Sequence, residues 1–259
     1  MIRETSAAGG ASLADVDDSL SAYDPVREDV AIGALVLSIL RPSSAEDLID
    51  EDEYARDERL PYWAELWPSA LVLAERLCAR PPAGARVVEL GCGVGLPAVV
   101  AALGGADVVA TDWYPEALAF TRANATAAGA RVETMAVDWR RPPDALFARG
   151  PADLVLGADV LYEERNGAAL AALLPRLLPR GGEALIADPR RPHAAALIEP
   201  LRAAGWAHER RDVPYRRRPD ESGPVIHLHR LVAPRPGRNS RTGGDVGYTG
   251  RERSSVAQW

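Results

Sequence analysis

The residues from Arg86 to Leu96 constrain the fold of this chain more than any other segment. They read Arg-Val-Val-Glu-Leu-Gly-Cys-Gly-Val-Gly-Leu, so an apolar run ends at an acidic residue and glycines then occupy every second position. Glycines at this spacing allow a backbone to approach a ligand where a Cβ would collide. The helix predicted to follow offers unpaired N–H groups to an anionic group. The segment therefore predicts a strand, a ligand-binding turn and a helix, with a nucleoside-like ligand.

Strands alternate with helices beyond this segment. Strands are predicted at Val87–Leu90, Val108–Thr111, Val132–Val137, Leu154–Ala158 and Ala184–Ala187, and helices at Leu96–Leu103, Pro115–Ala128, Ala168–Leu178 and His193–Ala204. This alternation predicts a doubly wound parallel sheet. Ala207–Val213 and Val225–Val232 follow as strands with no helix between them, and a parallel return would need a long crossover. We therefore expect an α/β, doubly wound, seven-stranded Rossmann-like sheet whose last strand is antiparallel.

The chain is predicted to divide into four segments. Residues 1–24 and 234–259 lack apolar periodicity and are expected to be disordered. Residues 25–80 are expected to form an N-terminal extension that packs on the core, with a strand or hairpin arm followed by a helix. Residues 81–233 are expected to form the ligand-binding core.

Composition excludes several classes of function. The net charge of −7 and the pI near 5.2 disfavour a nucleic-acid partner. The two cysteines are too few for a disulfide framework and lack metal-ligand spacing. No signal peptide is evident, and the longest apolar run, Val30 to Leu40, is too short to span a bilayer. We expect a cytoplasmic protein with no membrane partner.

All 30 Lys and Arg positions are arginine, which is typical of a GC-rich genome. The oligomeric state stays open.

An acidic side chain ends or follows each of the five predicted parallel strands. Ligands of open α/β sheets bind beyond the carboxyl ends of the strands. Asp112 lies 21 residues after Gly91. Its carboxylate is therefore expected to accept hydrogen bonds from both hydroxyls of a ribose. The Asp138 carboxylate can accept a hydrogen bond from the exocyclic amine of a base, and the Trp139 indole can stack on an adenine. The alternative is that these aspartates serve only as loop and helix-cap residues.

The glycine spacing narrows the choice of ligand. Dinucleotide-binding turns have Gly-x-Gly-x-x-Gly, and P-loops require Gly-Lys-Ser/Thr; this chain has neither. Glu-x-Gly-x-Gly-x-Gly before a helix, with an acidic residue at the end of the second strand, resembles motif I of class I S-adenosylmethionine-dependent methyltransferases. The resemblance extends from about Pro61 to Val232. It implies S-adenosylmethionine as cofactor and S-adenosylhomocysteine as product, and it disfavours a nicotinamide-dependent oxidoreductase.

Further motifs resemble the seven-β-strand protein-lysine methyltransferases, also called the methyltransferase-16 group. They are Pro61-Tyr-Trp-Ala-Glu-Leu-Trp-Pro-Ser69 before a helix, Asp138-Trp139, and Asp159-Val-Leu-Tyr162. Asp188-Pro189-Arg190 is similar to the branch containing the electron-transfer-flavoprotein lysine methyltransferase and bacterial relatives labelled as nicotinamide N-methyltransferase-like. The resemblance implies that the cofactor contacts Trp67, Glu89, Gly91, Gly93, Gly95, Asp112, Trp113, Asp138, Trp139 and Ala158.

Asp159 and Tyr162 are the predicted catalytic residues. Asp159 is expected to accept an N–H of the methyl acceptor, and Tyr162 to orient it through its hydroxyl or ring. In the alternative, Asp159 only caps the next helix and Tyr162 packs beneath it. Trp67 is expected in the acceptor channel, over the cofactor or in the core, and Glu65 either attracts a cationic lysine or is simply solvated. No strong base is required, because a neighbouring sulfonium lowers the pKa of a desolvated amine.

Two sets of basic residues are left without a role. His227 and His229 alternate with apolar residues on one predicted strand. Because no third ligand is evident, they are interpreted as polar residues on a strand face, and no metal site is predicted. The run from Arg216 to Arg218 is interpreted as a solvated turn, with contact to an acidic partner as the alternative.

The combined pattern predicts an N-methyltransferase whose substrate is a lysine side chain of a protein. Two alternatives remain: a methyltransferase for a small, nicotinamide-like amine, and an S-adenosylmethionine-binding interaction module that has lost catalysis. The presence of both Asp159 and Tyr162 favours an enzyme.

Overall fold

The computed structural model describes residues 18–48, 60–216 and 222–235. The strands of this part of the chain are β1 Pro25–Ile32, β2 Leu35–Pro42, β3 Arg86–Leu90, β4 Asp107–Asp112, β5 Val132–Ala136, β6 Leu154–Ala158, β7 Glu183–Asp188, β8 Ala207–Pro214 and β9 Val225–Val232. The helices are α1 Pro68–Ala79, α2 Leu96–Leu103, α3 Pro115–Ala127, α4 Asp144–Ala148, α5 Glu164–Leu177 and α6 Ala194–Ala203. Short 3₁₀ turns lie at Asp18–Tyr23, Glu46–Leu48 and Tyr62–Ala64.

Seven strands form one sheet in the order β5-β4-β3-β6-β7-β9-β8. Strands β3 to β7 run parallel, while β9 is antiparallel to both of its neighbours, β7 and β8. The predicted fold class, including the reversed last strand, is therefore confirmed. The order changes direction at β3, which is the first strand of the sheet in the chain. The carboxyl end of β3 is where ligands of such sheets bind.

Helices cover both faces of the sheet. Along β3 the side chains alternate, so Val87 packs into the cluster beneath α1, α2 and α3, and Val88 packs into the cluster beneath α5 and α6. The strand is buried on both faces, which explains why Val87, Val88 and Leu90 are apolar without regard to the face on which they lie.

The buried side chain of Asn124 joins the N-terminal hairpin of β1 and β2 to the core. Asn124 on α3 accepts a hydrogen bond from the Leu40 N–H at 2.7 Å and donates from Nδ2 to the Leu40 carbonyl at 2.9 Å. The same Nδ2 donates to the Val94 carbonyl at 2.8 Å. Asn124 is fully buried, so these bonds satisfy an amide that would otherwise be costly in the core. Hairpin and glycine turn are thereby tied to the same helix.

The structure differs from the sequence prediction at several places. Residues 18–24 belong to the segment expected to be disordered, yet Asp18–Tyr23 is a 3₁₀ turn in which Leu20 is buried. Tyr23 packs edge-on against Trp63 and Phe120 at 6.0 and 5.8 Å between ring centroids. Residues 1–17 and 236–259, where the rest of the predicted disorder falls, lie outside the described residues.

The helix boundaries also differ at two points. Helix α4 was not predicted, because its single turn is too short to show a period. Helix α5 begins at Glu164 and not at Ala168. Among the described residues, no helix has both the length and the apolar character needed to cross a membrane.

Candidate functional site

A cleft of about 1020 Å³, including its open mouth, lies beyond the carboxyl ends of the central strands. Every residue predicted to bind a ligand or to catalyse borders this cleft, with one exception. Those that border it are Trp67, Glu89, Gly91, Gly93, Asp112, Trp113, Asp138, Trp139, Ala158, Asp159 and Tyr162. The exception, Gly95, does not line the cleft. The fold thus gathers residues from five different connections around one cavity.

Glycine is required in the turn for a reason different from the one predicted. Gly91, Gly93 and Gly95 all adopt positive φ, at 69°, 53° and 85°. A Cβ on Gly91 would lie 3.1 Å from the Trp139 ring, and one on Gly95 would lie 2.6 Å from the Thr121 hydroxyl. The atoms that a Cβ at Gly91 or Gly95 would meet are therefore atoms of the protein itself. Glycine is needed here for backbone conformation and internal packing, and ligand access alone does not explain it.

The N–H groups of the turn are also partly used within the protein. The Gly95 N–H donates to the Cys92 carbonyl at 2.8 Å, and the Gly93 N–H donates to Asp112 Oδ2 at 2.9 Å. Thr121 on α3 donates from its hydroxyl to the Gly93 carbonyl at 2.9 Å. Thr121 was missed in the sequence; its signal is a polar residue on the apolar face of α3, one turn before Asn124. The turn is therefore rigidly supported before any ligand arrives.

Asp112 is oriented by two backbone amides. Its Oδ2 accepts the Gly93 N–H, and its Oδ1 accepts the Tyr114 N–H at 3.1 Å. The side chain is nearly buried at the edge of the cleft. A carboxylate has about four lone-pair positions, so it can accept hydrogen bonds from several donors at once. This arrangement suits the pair of hydroxyls on a ribose.

Glu89 is a buried carboxyl group at the floor of the cleft. It is 0% exposed, and neither of its oxygens has a hydrogen-bond partner among the described residues. Burial raises its pKa well above the usual value, the nearby Asp112 charge raises it further, and the amide of Ala98 partly offsets both. An acidic group in this setting is stabilised as an anion when a cation enters the cleft.

Asp138 and Trp139 form the side wall that follows β5. Asp138 Oδ1 accepts from the Arg140 N–H at 2.9 Å and from Arg140 Nε at 3.2 Å. The Trp139 ring packs against Gly91, and its buried Nε1 has no partner within the described part of the chain. A half-buried indole beside a carboxylate offers a planar apolar surface and an acceptor to a base.

Asp159 lies in a strained conformation directly beyond β6. Its φ is +56°, its N–H donates to the Ala187 carbonyl at 2.8 Å, and its side chain is nearly buried. Arg191 donates to both of its oxygens, from Nε at 2.9 Å and from Nη2 at 3.2 Å. The α5 N-cap is Glu163, so the alternative that Asp159 caps this helix is wrong.

Arg191 was missed in the sequence. Its hydrogen bonds to Asp159 raise the pKa of its guanidinium above the usual value, which keeps it charged. It follows Asp188-Pro189-Arg190 immediately, so the available signal was a second arginine after a motif already singled out. Its contact with Asp159 depends on two loops meeting in space, and spacing alone did not reveal it.

Aromatic rings surround the mouth of the cleft near Asp159. Tyr62 lies 5.2 Å from Tyr162 and 6.0 Å from Trp67 between ring centroids. Trp67 donates from Nε1 to the Tyr62 carbonyl at 2.8 Å, and the Arg191 guanidinium lies 6.0 Å from the Trp67 ring centre. Trp67 therefore borders the cleft and is not a core residue, and Tyr162 is part of the rim. Tyr62 and Trp113 are 37% and 40% exposed.

The remaining basic and acidic candidates fall in two groups. Glu65 borders the mouth of the cleft and is half-buried. Arg216 is described, but residues 217–218 of the arginine run lie outside the described residues. For the two histidines, no third ligand was evident in the sequence, but the structure places a carboxylate beside them. Asp188, paired with His227 across β7 and β9, lies with His227 and His229 in one cluster.

Known methyltransferases are similar to this chain in sequence. A sequence model of the family described as "Lysine methyltransferase" matches residues 58–197. Protein N-lysine methyltransferase METTL21A of Danio rerio is 37% identical over 151 residues, which are 54% of this chain and 68% of that protein. Histone-arginine methyltransferase METTL23 of Mus musculus is 31% identical over 124 residues, 46% of this chain and 49% of that protein.

A third relative belongs to the branch suggested by Asp188-Pro189-Arg190. Electron transfer flavoprotein beta subunit lysine methyltransferase of Xenopus laevis is 34% identical over 137 residues, 51% of this chain and 53% of that protein. The chain thus spans about half to two thirds of the length of these relatives. Among solved structures, precorrin-6y C5,15-methyltransferase of Geobacter metallireducens shares the fold, with a TM-score of 0.53 at 18% identity over 71% of this chain and 96% of that one.

Proposed function

This chain belongs to the lysine methyltransferase family, and on that basis we propose that it transfers a methyl group from S-adenosylmethionine to the side-chain amine of a lysine in a protein. It is a methyltransferase that depends on S-adenosylmethionine. That the methyl acceptor is a lysine side chain is our proposal. The observation that supports this proposal is that Asp159 and Tyr162 line the same cleft as the glycine turn and Asp112.

The residues of the cleft fit the cofactor. Asp112 would hold the ribose hydroxyls, and Trp139 with Asp138 would hold the adenine. Glu89, buried and without a partner among the described residues, suits the cationic part of the molecule. When bound, S-adenosylmethionine supplies a methyl group already activated on a sulfonium. The protein then has mainly to hold the acceptor nitrogen in line, which contributes about 7–11 kcal/mol in well-oriented systems.

At the acceptor end, the chain's own side chains select and orient an amine. The Asp159 carboxylate is fixed by Arg191 and would accept an N–H from the incoming nitrogen. Tyr162, Tyr62 and Trp67 would surround the methylene chain of a lysine with aromatic faces, which favours an alkylammonium group. Once the amine is desolvated beside the sulfonium of the cofactor, its charged form is disfavoured, so the neutral amine that attacks the methyl group is formed without a dedicated base.

The test exploits the complete absence of lysine from this sequence. The purified chain is incubated with proteins of a cell lysate and S-adenosylmethionine that carries a deuterated methyl group. Peptides and small metabolites are then analysed separately by mass spectrometry. We expect deuterated methyl on lysine Nε of one or a few proteins. Any methyl-lysine must come from the substrate, because the enzyme has no lysine side chain of its own to modify.

Matched variants make the result specific. Asp159→Asn is expected to reduce incorporation by about 100-fold or more, since it removes a charged acceptor at the reacting amine. The control is Asp153→Asn, which changes an aspartate just before the other end of β6 and should retain incorporation. Labelled arginine, or labelled metabolites without labelled protein, would overturn the lysine assignment. Cofactor binding without any incorporation would support the silent binding module instead.

A further inference from the structure

A second cluster of ligand-type side chains lies outside the methyl-transfer cleft. His227 and His229 are two residues apart on β9, so their side chains share one face of the strand. Asp188, the last residue of β7, stands opposite His227 in the antiparallel register. One ligand atom from each of the three side chains lies within 4.8 Å of the other two. None of these residues lines the cleft.

Two of the polar atoms that face this cluster are buried without a partner. Asp188 is 0% exposed and His229 is 2% exposed. Asp188 Oδ1 and His229 Nε2 have no hydrogen-bond partner among the described residues. An unsatisfied buried donor or acceptor costs about 1–3 kcal/mol, more if it is charged. A group that binds both atoms at once would remove this cost.

The other atoms of these side chains are already held in place. Asp188 Oδ2 accepts the Arg191 N–H at 3.0 Å, so the other oxygen, Oδ1, is the one left for a further ligand. His229 Nδ1 lies 2.9 Å from His208 Nε2. When His229 carries its proton on Nδ1 and donates this N–H to His208, the lone pair on His229 Nε2 is available to a metal ion. An outer hydrogen bond of this kind is how metal-binding histidines are usually oriented.

We propose that Asp188, His227 and His229 form a binding site for one divalent transition-metal ion of the zinc type. Two imidazoles and one carboxylate are the protein ligands of open three-ligand sites for zinc and of non-haem iron sites. Tetrahedral coordination at about 2.0–2.2 Å would draw the three atoms to roughly 3.3–3.5 Å apart. That is a small movement from the present separations. His227 is half-buried, which provides a route for the ion and an open coordination position.

The charges near the cluster are of both signs: Asp159 and Asp212 are acidic neighbours, and Arg190, Arg191 and Arg210 are basic ones. Asp212 lies 3.6 Å from His227 Nε2, but Arg210 pairs with the same carboxylate at 3.0 Å. Imidazole ligands suit zinc, iron and copper, whereas calcium and magnesium prefer an all-oxygen shell. The site should therefore distinguish Zn²⁺ from Mg²⁺ and Ca²⁺.

The experiment uses the full untagged chain, stripped with a chelator that is then removed. Zn²⁺ is added against a chromophoric competitor, and bound metal is counted after gel filtration. We expect one Zn²⁺ per chain, no binding of Mg²⁺ or Ca²⁺ at the same concentration, and a visible Co²⁺ spectrum typical of nitrogen and oxygen ligands. Zn²⁺ should also raise the Tm, because it binds the folded state.

Variants separate this site from adventitious binding. His227→Gln, His229→Gln and Asp188→Asn should each weaken Zn²⁺ binding by at least about 100-fold, and His208→Phe by about 10–100-fold. His193→Gln is the matched control, since His193 is the one histidine of the sequence outside this group. Circular dichroism identifies any variant that does not fold. Unchanged binding in folded His229→Gln, or no stoichiometric Zn²⁺ in the parent chain, would overturn the proposal.

Discussion

Arg191 donates two hydrogen bonds to the carboxylate of Asp159, one to each oxygen, across 32 positions of sequence. The pair lies beyond the carboxyl ends of β6 and β7, and its Asp159 member lines the cleft. The guanidinium also lies over the Trp67 ring. A buried carboxylate in a strained backbone conformation is therefore held in one orientation by a side chain from the next connection.

Arg191 is accordingly a positioning residue for Asp159. Arg191→Met should lower kcat by about 10–100-fold, or about 1.4–2.8 kcal/mol, while the KM for S-adenosylmethionine changes little. Arg191→Lys should recover part of the loss, because it keeps the charge but not the paired geometry. Steady-state kinetics on the labelled acceptor measures both. A KM for the cofactor that rises as much as kcat falls would contradict this role.

Asp112 is expected to determine cofactor affinity. Asp112→Asn should weaken S-adenosylmethionine binding by about 10–100-fold, because it removes the charge that strengthens hydrogen bonds to hydroxyls. Asp107→Asn is the control, since Asp107 begins the same strand at the opposite edge and is exposed. Isothermal titration calorimetry of both variants with S-adenosylmethionine measures the two affinities. Equal losses would mean that the effect comes from the strand and not from the site.

Glu89 should affect binding and stability in opposite directions. Its raised pKa means that the folded state prefers the neutral acid. As pH rises above the ordinary value of 4.5, the unfolded chain ionises more readily, so the wild type loses stability relative to Glu89→Gln. We expect the variant to match the wild type near pH 4.5 and to exceed it by at least about 1 kcal/mol at pH 8.

Affinity is the second measurement on the same variant. Glu89→Gln should bind S-adenosylmethionine at least about tenfold more weakly at pH 8, since the buried anion is gone. Urea unfolding at both pH values and calorimetry with the cofactor supply the two readings. Loss of both stability and affinity would indicate a purely structural residue.

The packing around Gly95 can be tested by comparison with Gly84, a glycine outside the turn that also has a positive φ. Gly95 and Gly84 both have positive φ, at 85° and 70°. A Cβ at Gly95 would meet Thr121 at 2.6 Å, whereas nothing lies within 4 Å of one at Gly84. Gly84→Ala should cost only the conformational penalty of about 1–2 kcal/mol, and Gly95→Ala about 1–3 kcal/mol more. Equal losses of unfolding free energy would show that packing around the turn is loose.

Asn124 should contribute more to stability than its neighbours on α3. Asn124→Asp keeps the shape but replaces the donor to the Leu40 and Val94 carbonyls with an acceptor. We expect a loss of about 3 kcal/mol or more, since buried acceptors would face one another. Thr126→Ala, exposed on the same helix, should change the unfolding free energy by less than about 0.5 kcal/mol. Denaturant titration measures both.

Much of this architecture was predictable because it depends on local pattern. The runs at β3, β6 and β9 and the helix Leu96–Leu103 follow from periodicity and from glycine and proline positions. The missing helix between β8 and β9 was enough to predict the reversed strand. The carboxylates of Asp112 and Asp159 were predictable as cleft residues, because the ends of parallel strands meet at one edge of a sheet.

The partners of those side chains were not predictable in the same way. Asn124 reaches Leu40 across 84 positions, and Arg191 reaches Asp159 across 32. Contacts of this kind depend on rotamers and on how loops from different strands approach each other, neither of which has a sequence period.

By itself, then, the sequence determined most of the strands and helices in their order, the turn at Gly91–Gly95 and the edge of the sheet where the cleft lies. Tertiary structure alone decided that Glu89 is buried, that Arg191 holds Asp159, and that Asp188 lies beside His227 and His229. The reason is physical: hydrophobic periodicity is read within one element, whereas burial and pairing arise only when elements distant in the chain are packed together.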